Sequence, residues 1–253
     1  MKKLIQLTLL NFLQGSREKI FWLVFFFYLF ILAVTFFMGI LSVGETAAVL
    51  RSAGLLGIEI IGLLLIAFSL TFGFHQEKDN HMPELMSVYF SRPVYIGSKL
   101  LSYLFICLFY LILAGLGLSA ILIFNKAFAF YNLIGIFSIF LKLSIITGFA
   151  LVFSVLFGSA LMAFISTLSI YIASEVSKEA LRIVSVSGNK ILKSFFDILY
   201  YILPNMDKLD LKTAAVYGKL PPFAYLTGIT SYTIIYILFL WLLAALIFLK
   251  KEL

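Results

Sequence analysis

Two charged side chains interrupt long apolar stretches of this chain and are its first candidates for chemistry. Glu59 lies in the apolar run Ala53–Phe74, and Lys142 lies in the apolar region Asn132–Ala173. A charge surrounded by hydrocarbon is costly unless it is paired or hydrated, so each residue predicts a partner or a function. If both stretches are helices entered from the same side, the two charges differ in depth by about 6 Å, at about 1.5 Å per residue. We expect a structural ion pair, with a substrate or proton site as the alternative.

A charged link, His75–Lys99, joins the run that holds Glu59 to the next apolar run, Leu100–Phe124. Its Pro83 suits the first turn of a helix, where the missing N–H has no partner to lose. Arg92 precedes a proline and is biased away from helical geometry, which predicts that this helix ends near Phe90. The side chains with which the link could contact a partner are Pro83, Glu84, Leu85, Met86, Tyr89, Ser91, Arg92 and Pro93. A helix that docks in a partner's groove and a plain interfacial connector explain the link equally well.

The link also begins with residue types that metals use as ligands, namely His75, Glu77, Asp79 and His81. Alternating spacing in a connecting segment favours a solvated polar face over a metal site. We therefore predict no metal site, no cofactor and no catalytic residue. The apolar runs contain no Asp or His for intramembrane catalysis, and the chain has no G-x-x-x-x-G-K-[ST] loop to cradle phosphates. An enzyme is not expected, and any ATP hydrolysis must belong to another chain.

The composition places these residues in a membrane protein. The 253 residues are 63% hydrophobic and 12% charged, with a mean hydropathy of +1.11, whereas soluble domains carry about 25% charged residues. The net charge of +7 comes from Lys and Arg beside apolar runs, which suits helix ends at anionic lipid headgroups and does not indicate nucleic acid. The lone Cys107 excludes an intrachain disulfide.

We predict an all-α polytopic fold with six transmembrane helices in a single membrane domain, 1–253. The long fourth apolar region is about twice what one span needs and is divided at the turn Phe157–Ser159. The predicted spans are 20–43, 53–74, 100–124, 132–156, 159–174 and 229–249, with an outer region at 175–228. An amphipathic helix over Met1–Lys19 is expected to lie in the interface, with an irregular leader as the alternative. Within the outer region, Ile191–Leu203 is too short to span and predicts an interfacial or re-entrant helix.

The basic residues predict the orientation. With both termini inside, the inner segments hold nine basic residues and the short outer loops hold only Arg51 and Lys126. This asymmetry follows the positive-inside rule and predicts a multi-pass protein of a bacterial-type cytoplasmic membrane with both termini in the cytoplasm. The seven basic residues of the outer region argue against this orientation, although acidic residues nearly balance them.

The six predicted spans and the N-terminal helix occur together with a link that ends in Ser91-Arg92-Pro93-Val94, with Lys99 beyond it. The chain also contains the run Leu199–Leu211, the segment Val216-Tyr217-Gly218 and the end Ile247–Lys251. In these features it resembles the membrane subunits of type-2 ATP-binding-cassette (ABC) exporters, in particular a bacterial branch that includes a copper-processing permease. The chain departs from the family's segment at Leu85 and at Tyr95-Ile96.

That resemblance implies a permease subunit that forms the substrate pathway for export. It implies that the Pro83–Phe90 helix couples the chain to a separate ABC ATPase, and that a second permease chain completes a dimer in contact with membrane lipids. A non-transporting membrane anchor and a secondary transporter remain the alternatives, although the inverted repeats and broken spans typical of secondary transporters are not visible.

Overall fold

The fold is known from a computed structural model that describes residues 2–17, 19–42, 44–80, 90–187, 197, 203–219 and 221–250. Every regular element in these ranges is a helix, which confirms the all-α prediction. The helices are α1 (Lys2–Arg17), α2 (Lys19–Leu41), α3 (Thr46–Asp79), α4 (Arg92–Phe124), α5 (Tyr131–Leu156), α6 (Ala160–Ser187), α7 (Met206–Leu209), α8 (Lys212–Tyr217) and α9 (Phe223–Lys250).

Six of these helices, α2 to α6 and α9, are long and apolar enough to cross a membrane, as predicted. Most are longer than their apolar runs. The second span continues to Asp79, the third begins at Arg92 instead of Leu100, and the fifth continues to Ser187 instead of ending near residue 174. Helical backbone satisfies its own hydrogen bonds, so a helix can extend past the apolar run into polar surroundings.

Arg92 is expected to stop a helix, but it lies in the first turn of one. Arg92 and Pro93 form the first turn of α4, and Ser91 is its N-cap with extended backbone (φ −63°, ψ 143°). Proline is well tolerated in a first helical turn because the N–H groups there have no intrahelical acceptor. The remaining residues of the predicted coupling helix, Pro83 to Tyr89, lie outside the described residues.

Six crossings place the chain segments at two ends of the bundle. At the end where α2 begins and α9 finishes, called the terminal end, Arg92 Nη1 donates to the carbonyl oxygen of Leu249 at 3.1 Å. At the opposite end, called the far end, Arg51 donates to the carbonyl oxygens of Ala127 (2.7 Å from Nη2) and Val216 (3.1 Å from Nη1). Each of these bonds joins segments that six alternating crossings bring to the same end of the bundle.

The centre of the bundle is formed by α3 and α5. Their most apolar windows are 72% and 78% buried, whereas those of α2 and α6 are only 22% buried. A Cβ added at Gly62 would lie 2.7 Å from Cδ1 of Leu143, so glycine is what allows α3 and α5 to approach this closely. The two candidate charges therefore lie on the two most enclosed helices.

The N-terminal helix α1 packs against α4 through one side and leaves much of its apolar surface exposed. Leu7 and Thr8 are buried and Ser102 Oγ donates to the carbonyl oxygen of Thr8 at 3.2 Å, whereas Ile5 and Leu9 are exposed. The polar side chain of Asn11 also faces the bundle because it meets a charge there. The apolar residues that remain exposed suit contact with lipid.

The outer region is partly folded onto the far end of the bundle. Its helices α7 and α8 pack against α5, and α8 ends at Gly218, whose left-handed backbone (φ 69°) suits a glycine C-cap. Most of the predicted helix Ile191–Leu203 lies outside the described residues. The last span begins at Phe223, directly after Pro221-Pro222, instead of at Ile229.

Candidate functional site

The two intramembrane charges form an ion pair inside the bundle. The Lys142 Nζ atom lies 3.0 Å from Glu59 Oε1, and each side chain is only 1% exposed. The pair joins α3 to α5 at the level where those helices are most enclosed. Each charge therefore stabilises the other in an environment where either one alone would be costly.

The pair is the centre of a larger network, which sequence analysis did not predict. Lys142 Nζ also lies 2.5 Å from Glu175 Oε1 on α6 and 3.0 Å from Asp210 Oδ2 between α7 and α8. Lys212 on α8 pairs with Glu59 Oε2 and lies 3.2 Å from Asp210 Oδ2. These further partners lie outside the predicted spans and reach the pair because α6 continues through Glu175 and the outer region folds inward.

Local structure holds the Asp210 segment in place. The Lys212 backbone N–H donates to Asp210 Oδ1 at 2.9 Å, a turn in which an aspartate accepts a bond from the backbone two residues later. Ser138 on α5 donates its hydroxyl to the Leu209 carbonyl oxygen, and the Leu211 N–H donates back to Ser138 Oγ at 3.0 Å. Alternating Leu209, Asp210 and Leu211 thus places the apolar side chains in the core and the carboxylate at Lys142.

A tyrosine completes the surroundings of Glu59. Tyr171 Oη donates to Glu59 Oε1 at 2.8 Å. Tyr171 and Glu175 are four residues apart on α6 and therefore project from the same face of that helix. Because Glu175 follows an apolar run and lies four residues after Tyr171, the sequence could have indicated that both side chains face the ion pair.

The network contains three carboxylates and two ammonium groups, so it holds one negative charge in excess when all are ionised. Burial of the Asp210 carboxyl raises its pKa, but the charges of Lys142 and Lys212 and the bonds they donate outweigh burial, so the pKa lies below its usual range. Asp210 is therefore an anion near neutral pH. Glu175, Asp210 and Lys212 are 22–27% exposed, so the network opens towards the far end.

The arrangement can hold or exchange a cation or a proton, but it does not form a metal centre in the described residues. No group of three or more His, Cys, Asp or Glu side chains suited to a metal ion occurs there. The position at which three carboxylates converge is already occupied by the Lys142 ammonium group.

A second polar cluster lies at the terminal end, and the sequence did not predict that its residues contact one another. Lys99 on α4 pairs with Glu77 on α3 and donates to Asn11 Oδ1 on α1 at 3.0 Å, and Tyr95 Oη donates to Glu77 Oε2 at 2.9 Å. The Lys99 and Glu77 side chains are 4% and 12% exposed. This terminal cluster, defined as Asn11, Glu77, Tyr95 and Lys99, fixes three helices at the base of the link between α3 and α4.

The prediction of a solvated face at the start of the link is wrong for His75 and Glu77, whereas Asp79 is exposed as predicted and His81 lies outside the described residues. His75 is only 7% exposed, and its ring nitrogens lie 2.8 Å from the Thr71 carbonyl oxygen and 3.3 Å from the Phe157 carbonyl oxygen. Glu77 points into the terminal cluster. The two side chains thus serve different contacts, because α3 continues as a packed helix to Asp79.

The structure describes only some of the predicted ATPase-coupling residues. Pro83, Glu84, Leu85, Met86 and Tyr89 lie outside the described residues. Ser91, Arg92 and Pro93 open α4, beside the end of α9. The link therefore enters α4 at the terminal end, directly next to the terminal cluster.

No protein-family model matches this chain, and no curated protein is significantly similar to it.

Proposed function

We propose that this multi-pass membrane protein is the permease subunit of an ABC exporter in a bacterial-type cytoplasmic membrane. The support comes from six spans, a packed helix α1 before the first span, and a folded outer region before the last. Together with the positive-inside pattern, these features favour a cytoplasmic location for the terminal end.

The observation that carries the proposal is the terminal cluster at the base of the link. A soluble ATPase that moves the link would act on the ends of α3 and α4. Because Glu77, Lys99 and Asn11 join α3, α4 and α1, those helices would move together instead of separately. Contacts that join three helices at this point would pass a displacement of the link to all three.

The mechanism follows from this geometry. Closure of two ATPase subunits would push the Pro83–Phe90 segments of two permease chains and tilt the helices attached to them. At the far end, the Glu59–Lys142 network holds α3, α5 and α6 to the outer region, so the tilt of α3 would reach the opposite membrane surface. The pathway would then open and close between two permease copies.

The test is copurification of the tagged chain with its ATPase. The double substitution Glu84→Gln with Tyr89→Ala should lower recovery of the ATPase severalfold while membrane insertion stays unchanged. The matched control is Glu45→Gln with Tyr217→Ala, since both residues are exposed at the far end. Equal recovery from both double variants would reject the link as the docking site.

The ion network favours one other candidate function, an ion-coupled secondary transporter. A buried lysine among three carboxylates is a plausible proton-exchange site, and intramembrane charges often mark such pathways. Transport by the purified chain alone in vesicles, driven by a pH gradient and abolished by an ionophore, would favour this candidate. Transport that requires ATP and a second protein would exclude it.

A further inference from the structure

An open groove of about 730 Å³ lies on α2, at the elbow where α1 ends and α2 begins. Its apolar wall consists of five side chains on one helical face, each between 48% and 68% exposed: Trp22, Leu23, Phe26, Phe27 and Phe30. Two exposed cations, Arg17 and Lys19, line its other end. The groove therefore has one basic end and one long aromatic wall.

The dimensions of the groove match those of one lipid leaflet. Lys19 and Phe30 are eleven residues apart, or about 16 Å along the helix at ~1.5 Å per residue. Half of a ~30 Å hydrocarbon core is about 15 Å. A lipid with its phosphate at the elbow would thus have its acyl chain beside the aromatic wall over the depth of one leaflet.

We propose that this groove binds an anionic phospholipid, with the phosphate against Arg17 and Lys19 and an acyl chain along Trp22 to Phe30. Charge complementarity supports an anionic lipid in this groove, because basic residues at the membrane surface attract anionic headgroups. Glu18 lies between the two cations in the sequence, so the three residues carry a net charge of +1. A lipid with a single negative charge complements this elbow, whereas a zwitterionic headgroup presents a repelled ammonium group beside its phosphate. The proposal does not depend on the transport role.

The chain supplies its own reporter for the test. Trp22 and Trp241 are its two tryptophans, and Trp22 lines the groove. Trp241 packs on α4, where a Cβ at Gly97 would lie 3.0 Å from its indole nitrogen, and that nitrogen has no hydrogen-bond partner among the described residues. Trp241→Phe therefore removes the second fluorophore without breaking a hydrogen bond identified there.

The experiment measures quenching of Trp22 fluorescence in full-length Trp241→Phe protein, in phosphatidylcholine vesicles that contain increasing fractions of lipid brominated in its acyl chains. We expect brominated phosphatidylglycerol to reach half-maximal quenching at about a fivefold lower fraction than brominated phosphatidylcholine. Adding Arg17→Gln with Lys19→Gln should remove this preference. Adding Lys126→Gln with Lys250→Gln, which removes two exposed cations elsewhere, should retain it.

Two results would overturn the proposal. Equal quenching by the two lipids would show ordinary lipid contact without a site. The absence of quenching by either lipid would show that another protein surface, such as a second copy of the chain, covers the groove. Thermal unfolding of each variant checks that a lost preference does not come from a lost fold.

Discussion

At the residue scale, Lys142 is the charge on which the ion network depends most. It contacts three carboxylates on three different segments, whereas Glu59 contacts two ammonium groups and a tyrosine hydroxyl. Removal of Lys142 leaves Glu59 with Lys212, and leaves Glu175 without the cation it contacts. Removal of Glu59 leaves Lys142 with two carboxylates. The two losses should therefore be unequal.

We predict that Lys142→Gln lowers the free energy of unfolding by about 3–5 kcal/mol, the loss typical of a broken buried pair. Glu59→Gln should lower it by less. The double variant should be more stable than the sum of the two single losses predicts, since neither Glu59 nor Lys142 is left without the other. Thermal unfolding of the four proteins in detergent gives this coupling. Strictly additive losses would mean that the two charges act independently, and the substrate or proton site would become the better explanation.

Asp210 provides a pH-dependent prediction at the same scale. Its pKa is lower in the folded protein than the ~3.9 of an unfolded aspartate, despite its burial, because Lys142 and Lys212 favour the anion. Its contribution to stability is therefore present above about pH 4 and is lost as the pH falls through the lower folded pKa.

Asp210→Asn should consequently lower the unfolding temperature at pH 7 and have a smaller effect at a pH below about 4, because protonation of Asp210 then removes its contribution. The matched control, Asp79→Asn, changes an exposed carboxylate at the other end of the bundle. A loss for Asp210→Asn that is the same at both pH values would show that its charge does not contribute.

At the scale of elements, the terminal cluster is expected to hold α1 against α4. Lys99→Met removes the ammonium group that bonds Asn11 and Glu77 and leaves a buried carboxylate without that cation. We predict that trypsin then cleaves after Arg17 severalfold faster, because α1 detaches from the bundle more often. Lys78→Met, on the same helix as Glu77 but outside the cluster, serves as the control. If both variants are cleaved at the rate of the parent protein, the cluster does not anchor α1.

The helices themselves followed from the sequence, but the contacts between distant segments did not. Uncharged runs of span length identify helices by hydropathy alone, so α2 to α6 and α9 were predictable. The partners Glu175, Asp210 and Lys212 lie in segments that looked like an exposed outer region. The inward position of Asp210 and Lys212 depends on tertiary folding of α7 and α8, and that of Glu175 depends on the continuation of α6 beyond its apolar run. The hydropathy pattern carries no information on either.

Helix ends were the other source of error. Hydropathy marks where an apolar run stops, whereas the helix continues while its backbone bonds and side-chain partners persist. Glu77 and Lys99 fell outside the predicted spans for this reason, although both lie within helices, Lys99 is buried and the Glu77 side chain is only 12% exposed. A charge within about one turn of a predicted span end is therefore better treated as a candidate for a buried pair.

At the scale of the whole molecule, six crossings place residue 208 and the end of α9 at opposite ends of the bundle. Single cysteines introduced there in a Cys107→Ala background should show opposite accessibility to an impermeant thiol reagent in intact cells. Lys208→Cys should be labelled from outside and Lys251→Cys only after the cells are opened. Labelling of both from the same side would reject the six-span orientation.

Site-specific photocrosslinking measures most directly the proposed contact between a separate ATPase and the link that joins α3 to α4. A photoreactive amino acid replaces Tyr89 in the link or, as the matched control, the exposed Tyr217 at the far end. We predict a light-dependent adduct with an ABC ATPase from position 89 and none from position 217. An adduct from neither position, while the ATPase still copurifies, or one from position 217 alone, would contradict it.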